Sequence, residues 1–112
     1  MGLPPLSEAR LYDILLKEEA ELRPKADRMW ALVRIEPERW RAPTYGSGTM
    51  EFWVFGVIGR RVLWYDEIES ELAMSTYESY GQIGETRFAT TELSTYMEQL
   101  IRHVVGEQAY SK

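Results

Sequence analysis

Three glutamates at alternate positions, Glu67, Glu69 and Glu71, form with Asp66 a run of four acids uninterrupted by a base. Read as part of a strand, they project from one face with their carboxylates about 7 Å apart. Such a stripe suits a cationic surface. It suits a metal ion poorly, because strand-spaced glutamates with no histidine or aspartate partner rarely converge on one ion. Nor is it a glycosidase pair, which needs two carboxylates facing each other across a sugar cleft. The plainer reading is a solvent-facing strand whose charge discourages edge pairing.

Other chemistry-bearing residues are sparse. His103 is the single histidine, and no serine, acid or second ligand is spaced to make it a triad member or a metal ligand. There it suits a helix C-terminus. Gly46-Ser-Gly-Thr49 lacks the Gly-Lys-Ser/Thr ending of a phosphate loop and follows a proline-containing segment rather than a strand. The chain has no cysteine, which excludes disulfides and thiolate chemistry. No catalytic residue, metal or cofactor is therefore expected, and the reading is non-enzymatic. Two recognition candidates remain. Tyr77 and Tyr80, before Gly81, are anchors of large area and low entropy cost. Trp40, with Tyr45 in the Pro43–Gly48 loop, could line a small-molecule site.

The charge balance narrows the partners. The 112 residues carry a net charge of −5. Residues 49–86 hold seven acids against two arginines, so the whole excess lies in the middle third. An acidic region repels phosphate backbones and anionic lipid, so neither nucleic acid nor membrane is expected there, and a basic protein is. The start, Met-Gly-Leu-Pro-Pro-Leu-Ser7, has no basic and apolar leader pattern, which gives a cytoplasmic expectation.

Elements that could position these residues follow from periodicity. Ser7 is a helix cap, and Leu11, Ile14, Leu15 and Leu22 share one face, which predicts a helix over 7–22. Pro24 opens a second helix over 25–33. Ile35–Trp40 reads as a helical turn opened by Pro37, with Trp40 inward. Gly59-Arg60 reads as a two-residue hairpin turn pairing Val57 with Val62, Phe55 with Trp64 and Trp53 with Asp66. That register puts Trp53, Phe55, Val57, Val62, Trp64 and Ile68 on the core face. Phe52, Val54, Ile58, Leu63, Tyr65 and the glutamates then fall on the outer face, and a one-residue slip exchanges the two. Leu72–Thr76 continues or follows that strand, and Gln82–Phe88 is read as the last one. Thr90 or Thr91 caps a closing helix with Leu93, Met97, Leu100, Ile101 and Val104 on one stripe, ended by Gly106.

The expected fold is α+β. A single domain over 1–112 holds an antiparallel meander of three or four strands, with N- and C-terminal helices packed on one face. Residues 1–6 and 107–112 are expected to fray.

Pro37-Glu-Arg-Trp40, Phe52-Trp-Val54, Leu63-Trp-Tyr-Asp-Glu-Ile-Glu69 and Tyr77-Glu-Ser-Tyr-Gly81 together resemble a group of small bacterial proteins, over roughly residues 35–101. Glu69-Ser-Glu71-Leu72 stands where that group would have a glycine and an aromatic residue. The resemblance implies an immunity or antitoxin role, in which a toxin is blocked by being bound. Phe52, Tyr65, Glu67, Glu69, Glu71, Tyr77 and Tyr80 would then form the surface for a basic partner. A homodimer through Phe52, Val54 and Leu63 is the alternative, and a ligand at Trp40 and Tyr45 the third.

Overall fold

The computed structural model describes residues 6–42 and 50–110, with side chains as far as residue 102. The Pro43–Gly48 loop with Tyr45, and the side chain of His103, lie outside the described residues. In chain order the elements are α1 (Glu8–Glu19), α2 (Pro24–Val33), β1 (Arg34–Ala42), β2 (Met50–Ile58), β3 (Arg61–Asp66), β4 (Glu71–Thr76), β5 (Phe88–Thr90) and α3 (Leu93–Tyr110). The strands form one antiparallel sheet in sequential order, with one strand more than the three or four expected. The α+β reading holds.

Helix boundaries follow capping chemistry. Ser7 accepts a hydrogen bond from the Arg10 N–H at 3.2 Å, and Pro24 opens α2 where its missing N–H costs nothing. The first N–H of α3 is satisfied by a different helix: Leu93 N–H donates to Glu18 Oε1 of α1 at 2.9 Å. Thr90 instead takes the Glu92 N–H at 3.2 Å. Gly106 does not stop α3, which continues to Tyr110. One glycine inside a long helix costs only about 1 kcal/mol relative to alanine.

Three helices cover one face of the sheet. Leu11 and Leu15 of α1, Ala26, Trp30 and Val33 of α2, and Leu93, Tyr96, Met97 and Leu100 of α3 close over Phe55, Leu63, Leu72 and Met74. Trp30 meets Phe55 edge to face at 5.8 Å, the favoured arrangement for aromatic quadrupoles. The Tyr96 hydroxyl reaches the carbonyls of Leu72 and Phe88 and so ties β4 to β5 beneath α3.

Ile35–Trp40 is strand, not a helical turn. Between Arg34↔Gly56 and Glu38↔Val54, β1 carries two more residues than β2, and this bulge contains Pro37. A proline has no N–H for a ladder, so it belongs at an edge or a bulge, and this position is both. From Glu38 onward β1 alternates cleanly, with Trp40 opposite Phe52.

A second bulge corrects the hairpin register. Val57 does pair with Val62, but Gly56 pairs with Leu63 and Val54 with Trp64, leaving Phe55 as the extra residue. Beyond it, every β3 side chain changes face relative to the expectation. Leu63 and Tyr65 join Trp53 and Phe55 on the helix side. Val62 and Trp64 join Phe52 and Val54 on the other.

That other face is a second core. Trp40, Ala42, Phe52, Val54, Val62, Trp64, Ala73 and Ile83 are all buried there. No helix covers it. Its roof is the excursion between β4 and β5, residues 77–87; the last strand, expected over Gln82–Phe88, forms instead over Phe88–Thr90. Ile83 N–H donates to Arg41 O at 2.7 Å and Gly84 N–H to Thr76 O at 2.8 Å. Consecutive amide nitrogens are at most about 4 Å apart, so those two carbonyl oxygens lie within about 9 Å. In a flat sheet β1 and β4 would stand about 14 Å apart. The sheet is therefore strongly curled, and the excursion fastens its first strand to its fourth. Gly84 is required at that seam, because a Cβ there would lie 2.2 Å from Thr76 O.

Candidate functional site

Three of the expected site residues converge on the second face. Trp40, near the C-terminal end of the edge strand β1, is 1% exposed. The ring of Tyr80 leans on it at 4.6 Å between centroids, and Tyr77 meets it edge-on at 5.2 Å. The Trp40 indole N–H donates to Glu38 Oε1 at 3.0 Å, and the Tyr80 hydroxyl donates to the same oxygen at 2.7 Å. Glu38 and Trp40 share a face because they are two apart in a strand. Tyr77 is stitched to the hairpin turn by its hydroxyl on Gly59 O and its N–H on Arg60 O, both 2.9 Å.

These contacts fix Tyr80 without hiding it. The side chain remains 65% exposed, the most exposed aromatic among the described residues. Its phenol is held above the ordinary value of 10.0, chiefly by its hydrogen bond to the Glu38 carboxylate, with desolvation second. Beside it, Glu78 and Glu85 line a hollow of about 520 Å³ with Tyr77, Ser79, Gln82 and Ile83. Both carboxylates are exposed, and neither has a hydrogen bond or ion pair among the described residues. The excursion therefore carries a fixed aromatic ring and two exposed acids on the same segment.

The expected acidic stripe does not form. β3 ends at Asp66, residues 67–70 make a turn, and Glu71 opens β4. The turn closes because the buried Asp66 carboxylate accepts the N–H groups of Ile68 and Glu69 at 2.9 and 3.1 Å, and Ser70 takes a positive φ of 56°. Of the three glutamates, Glu71 pairs with Arg87 at 2.7 Å, which also pairs with Asp66 at 2.9 Å. Glu67 accepts the Leu6 N–H at 2.9 Å and lies 3.7 Å from Arg39. Glu69 alone stays exposed, with no side-chain partner among the described residues. Charge that looks concentrated in sequence is thus largely neutralised by arginines distant in the chain.

The aromatic half of that expectation is corrected as well. Phe52 is 0% exposed and packs on Trp64 at 5.0 Å, so it cannot meet a partner. Val54 and Leu63 are equally buried, which removes the apolar patch expected to form a dimer. Tyr65 is half-buried against the helix-side core. The Trp40 ring is covered by Tyr77 and Tyr80, and no described hollow opens onto it.

No group of acids or histidines suited to a metal ion occurs among the described residues, and no described helix is long and apolar enough to cross a membrane. No protein-family model, curated protein or solved structure matches this chain. The residues missed by sequence reasoning are Glu38, Glu78, Ile83 and Glu85. Glu38 was findable: had 34–42 been read as strand, Glu38-Arg-Trp40 would have placed it beside the tryptophan.

Proposed function

We propose that this protein is a non-enzymatic protein-binding module of the immunity or antitoxin kind, and that it recognises a basic partner through the excursion over its second sheet face. The observation that carries the reading is Tyr80: two-thirds exposed, yet held by the Trp40 ring and the Glu38 carboxylate. An aromatic side chain immobilised before binding loses little entropy on docking, which is how interface anchors concentrate affinity. Glu78 and Glu85 would meet lysine or arginine at the rim and accelerate encounter.

The test is retention of a basic protein from extract of the native host on the immobilised chain. Wild type should hold it at low salt and release it as the screening length shortens. Tyr80→Ala and the double change Glu78→Lys, Glu85→Lys should each lose it. Equal retention by all three proteins would show that another surface does the binding.

A further inference from the structure

Far from Tyr80 in sequence and on the helix side of the sheet, three side chains grip the backbone of one residue. Leu6 N–H donates to Glu67 Oε2 at 2.9 Å. Leu6 C=O accepts from Arg39 Nη2 at 3.1 Å and from the Trp53 indole N–H at 2.6 Å. Arg39 is itself oriented, with its guanidinium 4.6 Å from the Trp53 ring centre and one nitrogen on Glu51 O at 3.1 Å. The Leu6 side chain packs against the helix-side core. A carboxylate acceptor on one side and two N–H donors on the other reproduce what a neighbouring strand offers to an extended residue.

The fit is incomplete at one atom. Glu67 Oε1 is buried and has no hydrogen-bond donor, its nearest cation being Arg39 Nη1 at 3.7 Å. A backbone amide brings a single proton, so one carboxylate oxygen goes without. An α-ammonium brings three protons and a full positive charge, and its hydrogen bonds to a carboxylate are roughly twice as strong as neutral ones.

From this we infer that the Arg39–Trp53–Glu67 slot is a binding site for an aliphatic α-aminoacyl unit with a free ammonium group, and that Leu6 occupies it as an internal substitute. The ammonium sits on both oxygens of Glu67, the carbonyl on Arg39 and Trp53, and the aliphatic side chain where Leu6 packs. Two sources share this chemistry: the first residue of a peptide beginning with leucine, and free leucine, whose carboxylate would meet Arg39.

Because Leu6 competes from within the same chain, at an effective concentration on the order of millimolar, the wild-type chain should bind in the millimolar range. The experiment follows the Trp53 indole N–H resonance, identified by its loss in Trp53→Phe, while ligand is added to wild type and to Leu6→Gly. The probes are leucinamide, the peptide Leu-Ala-Ala, free leucine and N-acetyl-leucinamide. Leucinamide should shift the resonance saturably, more tightly in Leu6→Gly than in wild type, and the acetylated probe at least about tenfold more weakly, as loss of a charged hydrogen bond requires. Glu67→Gln keeps the shape and an acceptor for the amide, so it should retain Leu6 docking while erasing the preference for the free ammonium. Tighter binding of the peptide identifies a chain terminus as the source, and tighter binding of leucine identifies the amino acid. An unmoved indole resonance in both proteins, or equal response to the acetylated probe, overturns the proposal. Neither result bears on Tyr80, whose test uses a different surface.

Discussion

Tyr80 and Glu38, 42 positions apart in sequence, share a 2.7 Å hydrogen bond that ties the β4–β5 excursion to the edge strand β1. The bond closes the roof over the second core and leaves the phenol ring facing outward. Structure and recognition therefore meet at one side chain, and they can be separated by substitution.

The bond has a pH signature. The folded Tyr80 phenol lies above its ordinary 10.0, so its stabilisation is fully present below that value and is lost as pH rises through the folded one. Tyr80→Phe should be less stable than wild type by a constant amount from pH 7 to about 9, and the gap should shrink above about 10. Urea midpoints of the two proteins across that range check it.

Glycine positions should differ sharply in cost. A Cβ at Gly84 would stand 2.2 Å from the Thr76 carbonyl oxygen, whereas at Gly59 it meets nothing within 4 Å. Gly84→Ala must push the seam apart and should cost about 3 kcal/mol. Gly59→Ala suffers only from its φ of 57° and should cost roughly 1 kcal/mol. Chemical denaturation of both variants makes the comparison.

Arg87 lies between the buried Asp66 and the half-exposed Glu71. Removing it takes an ion-pair partner from a buried carboxylate, although the turn amides still hold Asp66. With the arginine head one-third exposed, Arg87→Leu should cost roughly 2 kcal/mol, below the range for fully buried pairs. Glu69→Lys, on the same turn but with no side-chain partner among the described residues, should stay within about 0.5 kcal/mol of wild type. Thermal unfolding at pH 7 separates the two.

Trp40 and Tyr80 touch but should play different parts. Trp40→Ala empties the centre of the second core and should cost about 3–5 kcal/mol. Tyr80→Ala removes an exposed ring and should cost about 1 kcal/mol, mainly the lost hydrogen bond. Denaturation midpoints for the pair test whether the tryptophan supports the tyrosine or itself faces a ligand.

Much of the architecture was legible because it rests on local rules. Ser7, Pro24, the Gly59-Arg60 turn and the stripe through Leu93, Met97 and Leu100 each act over a few residues, and each appears where periodicity places it. The site was not legible, for two physical reasons. The bulge at Phe55 inserts one residue and reverses every face beyond it, turning an expected outer surface into a second core. The glutamates at 67 and 71 find arginines 28 and 16 positions away, pairings set by the curl of the sheet rather than by spacing. That Tyr77 and Tyr80 pack on Trp40 has no local signal, because the bond that joins Tyr80 to β1 runs through Glu38, 42 positions away.

The most direct measurement is photo-crosslinking in living cells of the native host, with a benzophenone amino acid placed at Ser79 in the excursion or at Glu69 in the opposite turn. Both positions are exposed, so both can react with whatever docks nearby. The account predicts a single basic protein captured from Ser79 and not from Glu69, with capture abolished by Tyr80→Ala. Capture of the same protein from Glu69, or undiminished capture in the Tyr80→Ala background, would contradict it.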